Sequence, residues 1–535
     1  MSDKRATSEV LEEKSSGKAT ERSGHREWKS YEKILFRIAF VFFVIMVVPA
    51  DPKFYALPFT IDWTNLHYRD IYDMCYVRTY NFVEPSPEGR WGIGGFINLG
   101  VVLLIAIAGG IVWTLLDRKR KEYDVLYYWL RVLVRYRAAL GIIGFGFTKL
   151  LPVQMPYPSL SLLNTDFGDF SGQKIYWMSI GSVPWYQVFA GVVEIGAGIM
   201  LFFRRTTAWG AALLLGALAT IAVVNLGYDG GVHVYASYFV ILSGFILAID
   251  VRPIYKLLIL EQVTAPAYHW YPVFSAWQQY ARAGIKVAIL GIFVGLFFYL
   301  QFINFLYDPY KQPSTKGLAQ LRGNYNVTEF RLNNKVLPYD PTDPVRWQEV
   351  TFEKWTTMTY KVNKPVQLDL SNGGGDPMKD INRTFEVSGV AGGKRVFFYN
   401  VDTVDKVLYL QDKNQPTKPR NVGPGGSRNE AKKKEEDKDS IYPANWIPDY
   451  AKARFGDPVT KIHPKAVNTR RIKAYTEEPE IKSRRKMILK YETSDGSRVV
   501  LSGTDENRDS IYVVLDKVQR SYNLSEGKLK PGQYD

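Results

Sequence analysis

YYWLRVLVRYRAALGIIGFGFTKLL (Tyr127–Leu151) and WYQVFAGVVEIGAGIMLFF (Trp185–Phe203) decide how this chain folds. Crossing a bilayer takes about 20 apolar residues, so each stretch is long enough to span one. Yet Arg137 and Lys149 interrupt the first, and Glu194 interrupts the second. An ionised side chain at mid-membrane costs about 2.5–3.5 kcal/mol on insertion scales. Charges placed there are paired or used, so these three predict a polar interior in an otherwise apolar bundle.

Working outward, seven segments read as spans: 34–50, 93–116, 127–151, 185–203, 207–228, 233–250 and 284–306. Lys and Arg gather in the stretch before Ile34, in Arg118–Lys121, at Arg204-Arg205 and after residue 250, whereas 152–184 holds one and 229–232 none. Positively charged segments stay on the cytoplasmic side, which predicts an N-terminus inside and a C-terminus outside. Residues 1–33 carry eight Lys/Arg against seven Asp/Glu and read as a disordered cytoplasmic tail rather than a cleavable signal. Two outer loops, 51–92 and 152–184, are long and aromatic; each is expected to lie on the outer leaflet, lid the bundle, or anchor the spans.

The mean hydropathy of −0.15 averages two unlike halves. After Tyr307 the pattern alternates with period two, and nine segments read as strands: 327–333, 350–355, 358–362, 366–371, 394–401, 407–412, 486–493, 498–503 and 510–518. Short antiparallel strands in this number predict a barrel or sandwich, because closure removes exposed edges. Lys413–Asp439 is a charged, Pro/Gly-rich insertion expected to be a mobile loop. The expected architecture is a polytopic α-helical bundle followed by an all-β extracytoplasmic domain. Its parts are 1–33 (tail), 34–126 (two spans with a large outer loop), 127–250 (four-helix core), 251–306 (inner loop and seventh span) and 307–535 (β domain).

Residues 461–490 hold ten Lys/Arg and three acids. Such a patch docks on anionic head groups or an acidic partner, or is merely a solvated face. Nucleic acid is not an expected partner of a domain outside the cytoplasm. The single cysteine, Cys75, excludes an intrachain disulfide, a four-cysteine iron–sulfur cluster and a CxxCH haem attachment. The five histidines argue against a bis-histidine haem, and no metal site is expected.

Depth within the bundle follows from the helical rise of about 1.5 Å per residue. Arg137 then falls roughly 20 Å below the outer end of its span and Glu194 roughly 13 Å, a gap of about 7–8 Å that two long side chains bridge. Lys149, three turns further out than Arg137, is expected level with Asn225, with Asp229 and His233 just above. Two layers are therefore predicted: a central Arg137–Glu194 pair and an outer Lys149–Asn225–Asp229–His233 cluster. The pair either fixes helix register or serves chemistry. Lys149 facing a polar pocket can lose its proton or hold an anion; a membrane-edge histidine such as His233 is more often a hydrogen-bonding residue.

RYRAALGIIGFGFTKLLP (Arg135–Pro152), followed by YQVFAGVVEIGAGIMLFFRRT (Tyr186–Thr206), resembles the DoxX family of bacterial membrane proteins. The family pattern of an Arg, then G-x-x-K-L, then G-x-x-E-x-x-x-G-x-L is met by Arg137, by Gly146, Lys149 and Leu150, and by Gly191, Glu194 and Gly198, with Leu201 one residue past the pattern's last position, which Met200 fills. The resemblance covers residues 127–250 and implies a four-span core in a Gram-negative inner membrane, with a periplasmic C-terminal domain. It also implies redox chemistry at the membrane, since named members are subunits of a thiosulfate:quinone oxidoreductase. The expected cofactor is then a quinone, and the expected partners are the bilayer and a membrane or periplasmic complex. In that reading Lys149 binds the head group, Glu194 passes a proton, Arg137 orients Glu194, and Asn225, Asp229 and His233 line the substrate side. The competing expectations are a non-catalytic scaffold whose β domain binds an envelope partner, and a lipid or small-anion transporter.

Overall fold

The computed structural model describes residues 27–49, 51–76, 82–83, 93–267, 269–309, 311–366, 368–370, 373, 379–414, 446–456, 459–477 and 484–524. The expected tail lies outside these residues except for 27–33, as does the expected insertion Lys413–Asp439 except for its first two residues.

Helix α1 (Ser30–Val47) pairs with α4 (Ile97–Leu116), and α1 also rests on α5 (Asp124–Leu150). A side chain at Gly110 would press on the Ile38 backbone, so glycine permits the close α1–α4 crossing. Arg37 of α1 donates from Nε to the Tyr123 hydroxyl at 2.9 Å and from Nη2 to the Asp117 carbonyl at 2.6 Å. Two shorter helices, α2 (Pro52–Thr60) and α3 (Tyr68–Cys75), fall between α1 and α4.

The expected core is a closed four-helix ring. Helix α5 packs on α8 (Pro184–Leu201), α8 on α9 (Thr207–Gly227), α9 on α10 (His233–Leu247), and α10 back on α5. The 152–184 connection between α5 and α8 holds α6 (Leu160–Leu163) and α7 (Gly172–Gly181), and α11 (Val251–Leu258) follows α10. The last helix is one rod, Ala276–Tyr307, made of α12 (Ala276–Leu290), a π-helical stretch (Gly291–Leu296) and α13 (Phe297–Tyr307). Among the described residues four helices are long and apolar enough to cross a membrane: Ile93–Leu116, Pro184–Leu201, Arg204–Gly227 and Ala276–Tyr307. Two bent pairs, one formed by α1 with α2 and one by α10 with α11, raise this to six. Helix α5 has the length, but Arg135, Arg137 and Lys149 lower its apolarity.

The β domain is a closed barrel of eight antiparallel strands. These are β1 (Gly323–Leu332) and β3 to β9, with β2 (Lys335–Val336) a short flap on β1. In order, the others are β3 (Glu349–Phe352), β4 (Thr357–Lys361), β5 (Lys394–Asp402), β6 (Val407–Asp412), β7 (Lys486–Glu492), β8 (Arg498–Thr504) and β9 (Ser510–Val518). Each pairs with the next, and β1 closes on β9 from Asn324 opposite Val518 to Leu332 opposite Ile511. Asn333 and Asn334 both take positive φ at the β1–β2 turn, where asparagine tolerates the left-handed region. The interior is filled by aliphatic and aromatic side chains, including Trp347 stacked on Tyr360 at 4.0 Å. The expected strand 366–371 is not one: of its described residues only Asp369 forms a bridge, to Ser388.

Barrel and bundle meet on the side reached by both long aromatic loops. Segment 152–184 packs Leu162 and Phe170 against Phe385 and Val390 in a small apolar cluster. The Ser171 amide bonds to the Gly389 carbonyl and the Ala391 amide to the Asp169 carbonyl. On the other flank, α15 (Thr469–Glu477), which follows the one-turn α14 (Asp449–Lys452), faces α3. Arg470 pairs with Asp70 at 3.2 Å and Asp73 at 2.7 Å. Where α13 ends, Asp308 is held between Arg383 at 2.6 Å and Arg471 at 3.1 Å. Arg470 and Arg471 of the basic 461–490 stretch therefore find acidic partners within the chain itself.

Candidate functional site

The three intramembrane charges are buried, but they combine differently from expectation. Lys149 Nζ lies 2.7 and 2.8 Å from the two carboxylate oxygens of Glu194. Arg137 instead donates to the Cys75 carbonyl at 2.5 Å and sits over the Tyr238 ring at 5.5 Å, with the phenol of Tyr235 also beside it. The expected Arg137–Glu194 pair is thus replaced by Lys149–Glu194.

Two physical causes account for the difference. Helices α5 and α8 do not end level: a Cβ at Gly191 would collide with the Leu150 amide nitrogen and the Gly146 carbonyl. The seven residues before Gly191, from Pro184 to Ala190, therefore run about 10 Å past the end of α5. In addition, Cα–Cβ bonds tilt toward a helix's own N-terminus. The two helices are antiparallel, so Lys149 leans down toward Glu194, Glu194 leans up toward Lys149, and Arg137 leans away.

Glycine makes the approach possible. A Cβ at Gly146 would meet Ile195 Cγ1 at 2.6 Å, and one at Gly198 would meet Ile143 Cγ1 at 2.8 Å. Phe145 covers the Lys149 ammonium at 6.0 Å from the ring centroid. Glu194 is 1 % exposed and Lys149 8 %, so the pair is buried, the carboxylate more deeply than the amine.

The outer cluster is not assembled either. Asn225 donates to the Ile221 carbonyl of its own helix at 2.8 Å, and its side-chain oxygen fills the space where Gly230 lacks a Cβ. Asp229 is exposed and takes a φ of 52° in the α9–α10 turn. His233 opens α10 and packs on the Phe96 ring at 5.4 Å. These three residues shape a tight turn between helices, while Lys149 is drawn to Glu194 on the neighbouring helix.

A second set of buried ionisable groups, which the sequence did not single out, lies at the bundle–barrel interface. Glu353 accepts from the Leu160 amide at 3.1 Å and the Ser161 amide at 2.8 Å, and burial pushes its carboxyl up to about 7. Lys394 donates to the Ser161 and Asn164 carbonyls at 2.7 and 3.0 Å, and burial lowers its amine to about 8. Lys174 donates to the Phe385 carbonyl at 2.6 Å and lines a crevice with Met155, Trp177, Phe385 and Ser388. Lys174 had one sequence signal: it is the single cation of the loop 152–184. Among the described residues no group of three or more His, Cys, Asp or Glu is placed to hold a metal ion.

Comparison with family models, curated proteins and solved structures finds no match to this chain.

Proposed function

We propose that this chain is an integral membrane scaffold: a seven-span anchor, N-terminus in the cytoplasm, that holds an eight-stranded barrel against the outer face of the membrane to engage an envelope partner. The observation that carries this reading is the mutual satisfaction of Lys149 and Glu194, both buried and hydrogen-bonded to each other. Such a pair fixes helix register and leaves neither group directed at a ligand. Helix α5 supplies the seventh crossing beyond the four helices and two bent pairs. The topology is supported by charge: the Arg118–Lys121 and Arg204-Arg205 turns lie at the helix ends opposite those whose loops meet the barrel.

Lys149→Ala and Glu194→Gln, made separately, test the scaffold reading. Loss of expression and assembly supports it; full assembly with loss of a cellular activity overturns it. Topology is tested with single cysteines at Val404 and Val263, both fully or nearly fully exposed, since Cys75 is buried. A membrane-impermeant thiol reagent applied from outside labels the first and spares the second if the barrel is external.

The sequence pattern shared with the DoxX family favours a second reading, a redox subunit carrying a quinone. Lipid extraction and mass spectrometry of the purified protein test it, and finding no quinone would remove it.

A further inference from the structure

Four cations from three parts of the bundle converge where α8 turns into α9. Arg135 of α5 is buried and donates from Nε, at 3.0 Å, to the carbonyl of Leu201, the last residue of α8. Arg204 lies in the turn itself; its Nη2 donates to the Tyr128 hydroxyl at 2.6 Å, and its guanidinium sits 4.5 Å from the Tyr271 ring centroid. Lys286 of α12 places its Nζ 5.0 Å from the centroid of Phe203, the residue before Arg204. Arg282, one turn earlier on the same face of α12, completes the set. The group is tight enough that the charges of Arg282, Arg135 and Arg204 all act on Lys286.

Among the described residues none of these four cations has a carboxylate partner; their contacts are a carbonyl, a phenol and ring faces. Asp250, just past the end of α10, is already engaged by Arg131 at 3.7 Å and His269 at 3.2 Å. Elsewhere the chain neutralises buried cations itself, as at Lys149–Glu194 and Arg383–Asp308. Sidedness accounts for exposed cations in the inner turns. It does not account for one buried in an apolar run that meets three others without a counter-charge. Like charges held together repel, and a shared anion removes that cost. Helix α12 has no buried residue, and from Val287 to Phe298 its rod is apolar, so acyl chains have a surface to lie on next to the cations.

We propose that Arg135, Arg204, Arg282 and Lys286 form a binding site for the phosphate of an anionic phospholipid, in the leaflet that faces the Arg118–Lys121 and Arg204-Arg205 turns. Guanidinium groups hold phosphate oxygens through paired N–H donors, and basic pockets between helices on the cytoplasmic side take up anionic head groups. Here the phosphate is drawn between α12 and the α8–α9 turn, and the chains follow α12. The lipid then ties the last helix to the four-helix ring at the end where α12 is itself exposed. Lipid binding at these helix ends rests on the membrane topology proposed above, which cysteine labelling tests without lipid, so the two can fail separately.

The test uses the full-length protein immobilised in detergent, with radiolabelled phosphatidylglycerol as the probe. One saturable class of binding is expected. Unlabelled phosphatidylglycerol displaces it, whereas phosphatidylcholine with the same chains and inorganic phosphate at equal concentration do not. Arg282→Gln combined with Lys286→Gln is expected to weaken binding on the order of ten-fold or more. Both side chains lie on a helix with no buried residue, so this variant keeps the wild-type elution volume. Arg118→Gln combined with Lys119→Gln removes as much charge from another, exposed turn and is expected to leave binding unchanged. Equal binding of phosphatidylcholine overturns the proposal, as does displacement by inorganic phosphate. Undiminished binding in the Arg282/Lys286 variant, or an equal loss in the Arg118/Lys119 variant, overturns it too.

Discussion

Lys149 Nζ bridges both carboxylate oxygens of Glu194 from the last turn of α5 to the middle of α8, and both residues are buried. Removing one member leaves the other as an uncompensated buried charge. Lys149→Met or Glu194→Leu alone is expected to lower stability by about 3–5 kcal/mol, whereas the double replacement recovers most of that loss. Thermal unfolding of the four proteins in one detergent measures the coupling. Two single variants no worse than the double would show that the pair carries no structural weight.

The same helix contact makes a sharper steric prediction. Gly191 faces the α5 backbone with no room for a Cβ, while Gly196, one turn further along α8, has nothing within 4 Å. Gly191→Ala forces the helices apart and is expected to destabilise by about 1–3 kcal/mol, as overpacking does. Gly196→Ala is expected to be neutral or slightly stabilising, because alanine favours the helix. Equal effects at the two positions would contradict the α5–α8 register.

How far this was legible in sequence depends on the scale of the question. The helix positions follow from long apolar runs, and the barrel strands follow from period-two alternation. The last helix begins at Ala276, eight residues before the expected 284, because its first turns carry polar residues that a membrane span does not need. Among the described residues of 366–371 no strand forms, since alternation alone does not supply a neighbour to pair with. Depth along the helices predicts Arg137–Glu194 only if the span ends are level, whereas the offset between α5 and α8 and the tilt of the side chains bring Lys149 to Glu194 instead. Asn225, Asp229 and His233 looked like a cluster because they share a depth, but they belong to one turn. Glu353 and Lys174 carried little signal, since their partners Leu160, Ser161 and Phe385 lie some two hundred residues away.

Glu353 gives the bundle–barrel contact a pH dependence. Its carboxyl is raised to about 7 in the docked structure, against 4.5 ordinarily. A raised acid favours the proton, so its contribution to stability is fully present below 4.5 and is lost as pH rises through about 7. Lys394, lowered to about 8 from 10.5, works in the opposite sense, contributing above 10.5 and losing that contribution as pH falls through about 8. Glu353→Gln imitates the protonated acid and leaves Lys394 in place. The variant is therefore expected to melt above the wild type in mildly alkaline buffer, with the gap closing as pH falls toward 4.5. A gap that is constant with pH would mean that Glu353 does not titrate in this range.

Asp308 sits where α13 hands over to the barrel, buried between two guanidinium groups. It is 3 % exposed and held by Arg383 and Arg471, and Arg383 also faces Asp380 at 3.4 Å. Asp308→Asn leaves two buried guanidinium groups with one carboxylate between them, and a loss of about 3–5 kcal/mol is expected. The Arg331–Glu329 pair is a natural control: both side chains are more than a third exposed, so breaking it with Glu329→Gln should change stability by less than about 1 kcal/mol. Limited proteolysis distinguishes loosening of the junction from general unfolding. If Asp308 clamps the barrel to the bundle, Asp308→Asn speeds cleavage in segment 308–322 while the barrel core stays resistant. Uniform sensitivity along the chain would instead assign Asp308 to the stability of the barrel itself.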